Sequence, residues 1–240
     1  MRWLALLALP LLAACVSPAT TPTAPVPAPQ PPAAAAPQQV ERLSARQAAR
    51  QFVDVVTRME PVAEQVCREV IPQENCDFAI VVDDTPGAPP NAFQTRDATG
   101  RPILAFTIPL IAEMQNPDEL AFVMGHEAAH HIAGHLDRQQ RNMISGAVLL
   151  GSIAAITGAS AEAVQSAQEL GAQVGARSYS KEFELEADRL GTLITKRAGY
   201  DPVRGAAYFA RIPDPGNRFL GTHPPNASRI EAVRQTAAGL

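Results

Sequence analysis

Residues 116–138 read NPDELAFVMGHEAAHHIAGHLDR, and this stretch decides both the fold and the chemistry. Asn116 offers a side-chain oxygen to cap a helix, and Pro117 takes the first helical position, where a missing N–H costs nothing. Asp118 and Glu119 set negative charge against the positive end of the helix dipole. The pattern predicts a helix from Pro117 to about Arg138. His126-Glu127-Ala128-Ala129-His130 falls in its middle. Four residues are just over one helical turn, so both imidazoles leave one face and can share a Zn2+ at about 2.0–2.1 Å. His131 and His135 lie about 100° and 140° around the helix from His130, which excludes them as ligands of the same ion; they read as solvated or core-edge histidines.

A catalytic zinc site needs a third protein ligand and an open fourth position. Glu184-Leu185-Glu186-Ala187-Asp188 offers that ligand on a second long helix, expected between Ser180 and Gly199. Glu184 and Asp188 are one turn apart. One carboxylate can bind the metal while the other accepts the free ring N–H of a ligating histidine and fixes its tautomer. Glu182 and Glu186 compete for this part, although Glu186 lies about 200° around from Glu184 and is expected to face away. With zinc bound, Glu127 is the residue to take a proton from water and pass it to the leaving amine of a cleaved peptide.

Outward from this pair of helices, Ser44 to Val70 carries Phe52, Val55, Val56, Met59, Val62 and Val66 at helical spacing, with a bend expected at Pro61. Phe78–Val82, Asn91–Gln94 and Ile103–Ile108 read as short strands. Short helices are expected after Asp201-Pro202 and from about Asn226. The class is therefore α+β, mostly helical, with a small sheet of about three strands beside the metal-binding helix. Residues 142–161 are uncharged, but their densest apolar part, Met143 to Ile156, falls short of the roughly 20 residues a bilayer span requires. They read as a buried helix or a mobile flap beside the cleft, with a membrane-dipping hairpin as the alternative.

The 240 residues are 46% hydrophobic, enough for a core, and 20 Lys plus Arg against 24 Asp plus Glu give a net charge of −4. No broad basic surface is available for nucleic acid. Arg2 and the apolar run Trp3–Leu12 form an export signal, and Leu12-Ala13-Ala14-Cys15 matches a lipoprotein processing box. Ser17 to Val40 has no charged residue and is rich in Pro and Ala, as extended linkers are. The expected organisation is a signal peptide over 1–14, a lipidated Cys15 and linker over 15–40, and one domain over 41–240. Val16 after the cysteine suits outer-membrane sorting. Cys67 and Cys76, with eight residues between them, are expected to pair in an oxidising periplasm.

With these residues in view, the chain resembles the gluzincin metallopeptidases related to HtpX, the CAAX prenyl protease and the periplasmic lipoprotein proteases of outer-membrane quality control. The resemblance rests on Asn91-Ala92-Phe93, on HEAAHHIAGH from His126, and on Tyr179-Ser180-Lys181 leading into Glu184 and Asp188. It continues through Ala198-Gly199-Tyr200-Asp201-Pro202 and Thr222-His223-Pro224, followed by Arg229-Ile230. It implies a zincin-type fold with one Zn2+, Glu184 as third ligand, and Asp188 as the acceptor behind His126. Asn91, Ala92 and Phe93 would form the strand edge that holds substrate. The implied activity is a zinc endopeptidase, anchored in the outer membrane through Cys15, facing the periplasm and acting on unfolded or misassembled envelope proteins. The alternative is a non-catalytic binding or assembly lipoprotein with a structural zinc. Such a site has no use for Glu127 and normally fills its fourth position. His223, in its Thr-His-Pro turn, is expected either to stabilise the oxyanion or to occupy the open metal position in a latent state, the plainer reading being a turn residue that caps the last helix.

Overall fold

A computed structural model describes residues 43–178 and 180–240; the signal segment, Cys15, the linker and Tyr179 lie outside them. The first helix, α1 (Ala45–Val70), starts with a reciprocal cap: the Ser44 hydroxyl accepts the Gln47 N–H, and the Gln47 side chain accepts the Ser44 N–H. It runs through Pro61 and buries Val55, Met59, Ala63 and Val66. Cys67 near its end is disulfide-bonded to Cys76, with Cα atoms 5.7 Å apart. The loop so closed lies against the helix that carries His126 and His130, where the Asn75 carbonyl meets His131 Nε2 at 2.8 Å. Reducing the bond or making Cys67→Ser is expected to cost about 2–3 kcal/mol in urea unfolding.

Three strands follow, β1 (Ala79–Asp83), β2 (Ala92–Arg96) and β3 (Pro102–Thr107). Among the described residues they form one sheet in the order β1-β3-β2, parallel between β1 and β3 and antiparallel between β2 and β3. Central β3 is buried along most of its length, and β2 keeps a free edge. The third strand stops at Thr107 rather than Ile108, because the Thr107 side chain caps a short helix, α2 (Ile108–Glu113), by accepting the Leu110 N–H.

Asn116 caps the central helix α3 (Pro117–Ile132) through Glu119 N–H. Thirteen of its 16 residues are buried, so it runs through the core and its polar side chains need partners inside the protein. The helix ends six residues earlier than the expected Arg138. Gly134, at φ +66°, turns the chain in the left-handed region that suits glycine, and α4 (His135–Ile156) restarts in a new direction.

Of the readings offered for residues 142–161, the buried helix is not what forms. These residues form much of α4, which pairs antiparallel with an unanticipated helix, α5 (Ala161–Arg177). The glycines make the contact between them: a Cβ on Gly146 would sit 2.1 Å from the Gly171 carbonyl oxygen, and one on Gly175 would sit 2.0 Å from that of Asn142. Ile144, Val148, Leu149, Ile153 and Ile156 are left exposed. No helix among the described residues is long and apolar enough to cross a membrane.

The chain returns through α6 (Ser180–Arg197), closed by Gly199 at φ +83°, then α7 (Pro202–Ala206), capped by Asp201, and α8 (Asn226–Ala238). The core, including Met59, Phe78, Leu104, Phe106, Phe122, Met124 and Ile194, is drawn from α1, β3, α3, α6 and the residue leading into β1.

Candidate active site

The site is made where α3 crosses α6, and two glycines set their separation. A Cβ on Gly125 would lie 2.8 Å from Thr195 Oγ1, and one on Gly191 would lie 2.9 Å from the backbone nitrogen of His126. At Gly191 every close neighbour is backbone of His126 or Gly125, so Gly191→Ala must spread the helices. We expect about 1–3 kcal/mol of destabilisation in thermal unfolding, together with weaker metal binding.

The crossing brings the three predicted ligands together. His126 Nε2 and His130 Nε2 are 3.0 Å apart, Glu184 Oε2 is 3.6 Å from His126 Nε2, and Glu184 Oε1 is 3.4 Å from His130 Nε2. Tetrahedral ligands about 2.0–2.1 Å from a zinc ion stand roughly 3.3 Å from one another. Glu184 approaches each imidazole through a different oxygen, and with one ligand atom from each residue all three lie within 4.8 Å of one another, close enough to hold one ion. These residues are the His/His/Glu group able to hold a metal among those described. Glu182 is exposed on the same helix, which removes it as a competitor.

Asp188 is fully buried with Oδ1 3.0 Å from His126 Nδ1, the place the resemblance implied. It does not stand alone. Arg229, from α8, donates Nε–H to Asp188 Oδ2 at 2.8 Å and Nη2–H to Oδ1 at 2.6 Å. Its guanidinium carbon lies 3.9 Å from the centre of the Phe209 ring, and Nη1 is 3.5 Å from Glu184 Oε2. This buried cation was visible in the sequence only as part of a motif, with no role attached. A lone arginine following His-Pro-Pro by a few residues gives no sign of its burial.

The charges respond accordingly. Burial opposes ionisation of Glu184, but hydrogen bonds with His126, His130 and His223 outweigh it and hold the carboxyl well below its usual range. Burial likewise opposes the charge on Asp188, and the field and hydrogen bonds of Arg229 with the bond to His126 hold it low. Burial and Arg229 disfavour protonated His126, yet the bonds to Asp188 and Glu184 prevail and raise it to about 9.

His130 has a different support. Its Nδ1 lies 2.8 Å from Nδ1 of His135, a residue expected to stand apart from the site, and His135 Nε2 lies 3.2 Å from Glu186 Oε2. The bend at Gly134 is what returns His135 to His130, so an argument assuming one continuous helix misplaced it. Glu186 does face away from Glu184, but onto this histidine and onto Arg138, 2.7 Å away. Burial, then the neighbouring His130, push His135 down to about 4, and it is neutral near pH 7.

A cleft of about 520 Å³ opens above the ligands. Glu127 lines it, as do Asn91, Ala92 and Phe93 beside the free edge of β2, with Phe93 partly exposed. His223 also reaches the cleft, its Nδ1 3.1 Å from Glu184 Oε2. It does not cap α8, which has no side-chain cap bond.

A family model described as Peptidase family M48 matches residues 50–237, covering both ligand helices and the arginine on α8. The chain belongs to peptidase family M48. Among curated relatives, a Beta-barrel assembly-enhancing protease of Yersinia pestis is 34% identical over 136 residues, which is 51% of this chain and 28% of the relative. The protein of that name from Escherichia coli K12 is 30% identical over 144 residues with the same coverage. The Mitochondrial metalloendopeptidase OMA1 of Arabidopsis thaliana is 27% identical over 137 residues, 55% of this chain and 27% of the relative. The aligned part thus spans under a third of the length of each of these relatives.

Proposed function

We propose that this chain is a zinc-dependent endopeptidase of the bacterial envelope that hydrolyses peptide bonds of misfolded or misassembled envelope proteins. The observation that carries the reading is the convergence of His126, His130 and Glu184, close enough to hold one ion, in a cleft shared with Glu127. A zinc ion held there would polarise a peptide carbonyl and make a water acidic enough to attack it. Glu127 takes the proton of that water and delivers it to the leaving amine. The free edge of β2, at Asn91, Ala92 and Phe93, hydrogen-bonds an extended peptide through its backbone, which suits substrates chosen by lack of structure rather than by side chain. The relatives named Beta-barrel assembly-enhancing protease support placing those substrates in outer-membrane assembly. Lipidation at Cys15, outside the described residues, would hold the domain at the outer membrane facing the periplasm. The mass of the N-terminal peptide from membrane fractions, with Cys15→Ser alongside, checks that part.

The test is cleavage of casein by the zinc-loaded chain, beside a chelator-treated sample. Cleavage lost on chelation and restored by zinc is expected. One tightly bound zinc with no cleavage, even in His223→Ala, would favour the binding-protein alternative. His223 contacts a ligand carboxylate, and we assign it a place at the open metal position or at the oxyanion. His223→Ala is expected to change turnover or metal affinity, and if both stay as in wild type the assignment is wrong. Because His126 is protonated up to about pH 9 without metal, zinc binding at pH 7.5 should release a proton. Titration calorimetry in buffers of different ionisation enthalpy checks this, and apparent zinc affinity should rise with pH toward that value.

A further inference from the structure

The hydrogen-bond chain behind His130 has a direction. Glu186 Oε2 can only accept, so His135 carries its proton on Nε2, 3.2 Å away. A ligating His130 must offer its Nε2 lone pair to the metal and so carries its proton on Nδ1, and the 2.8 Å approach then makes His135 Nδ1 the acceptor. A bound metal would take that Nε2 lone pair in place of the hydrogen bond that His130 otherwise gives Glu184. His135 is itself locked in place. It is buried, stacked on Phe183 with ring centres 4.6 Å apart and planes at 13°, and Arg138 both pairs with Glu186 and covers the Phe183 ring at 4.2 Å.

We propose that His135 is the positioning residue for the metal ligand His130, fixing its tautomer and ring orientation as Asp188 does for His126, with Glu186 and Arg138 orienting His135 in turn. The two imidazoles are thereby supported unequally, one by a buried carboxylate with its arginine and the other by an imidazole whose own acceptor, Glu186, is partly open to solvent. The inference rests on the zinc-site reading above. It gives the fifth position after His130 a function that residue spacing on one helix could not supply, because the connection exists only through the turn at Gly134.

The test compares zinc affinity of the full chain, by competition with a chromogenic chelator, for wild type, His135→Ala, His135→Asn and His135→Gln. The visible spectrum of the cobalt-substituted proteins and the melting of the metal-free forms accompany it. Asn places an oxygen where Nδ1 stood, and Gln places its polar end where Nε2 stood. Zinc affinity is expected to fall about 10–100-fold in the Ala and Gln variants, with altered cobalt spectra, and to return close to wild type in Asn. A role in packing alone predicts that Gln, the larger residue, does at least as well as Asn. That ranking, or unchanged affinity in His135→Ala, overturns the proposal. Should the Ala variant not fold, the Asn and Gln pair decides. A wild-type chain that binds no zinc or cobalt would instead overturn the zinc-site reading itself.

Discussion

Glu127→Gln is expected to keep its zinc and its melting temperature and to lose casein hydrolysis by at least about 10²–10⁴-fold, the contribution of a positioned proton carrier. Among the described residues the Glu127 carboxylate makes no ion pair, acting on the buried Arg229 only through its field, so the change removes proton transfer while leaving the three ligands in place. Turnover in a chelator-sensitive assay, with zinc content measured on the same samples, is the check. A variant that still cleaves near the wild-type rate would mean that another group moves the proton. A variant that loses zinc as well would mean that Glu127 helps to build the site.

Arg229→Ala should have the largest effect on stability, about 3–5 kcal/mol, because it strands the buried Asp188 carboxylate without its cation. Zinc affinity should fall with it, since Asp188 orients His126. The sign with pH follows from Asp188. Its folded value lies below the ordinary carboxylate one, so the pair stabilises fully above the unfolded value and is lost only as pH falls through the depressed one. Wild type and variant should therefore differ most near neutrality and converge in acid. Urea unfolding across that range measures it, and a constant or absent difference would contradict the account. Replacing both partners, as Arg229→Met with Asp188→Leu, should recover much of the stability without recovering metal affinity.

Much of the site was legible in residue order alone. A capped helix with two histidines one turn apart needs only helix geometry to place both imidazoles on one side, and Glu184 with Asp188 repeats that logic on α6. The three strands, the disulfide and the α+β class were likewise readable from local patterns of polarity, turn residues and cysteine spacing. These features depend on interactions within a few residues, where backbone geometry and side-chain chemistry permit few arrangements.

Tertiary structure decided the rest. Whether α3 could approach α6 closely enough depended on Gly125 meeting Gly191, a contact across 66 positions that no local pattern encodes. The role of Arg229 depended on α8 folding back over Asp188, and that of His135 on one left-handed glycine ending a helix that hydrophobic pattern and histidine spacing would have continued. For the uncharged stretch at 142–161, read as a buried helix or a flap with a membrane-dipping hairpin as the alternative, burial is the part that fails, because composition reports how apolar a segment is, not which neighbour covers it. Residue order thus determined which chemical groups this protein owns and in what local geometry, while long-range packing determined which of them meet, because a buried charge or imidazole acquires its role only from the partner that replaces water around it.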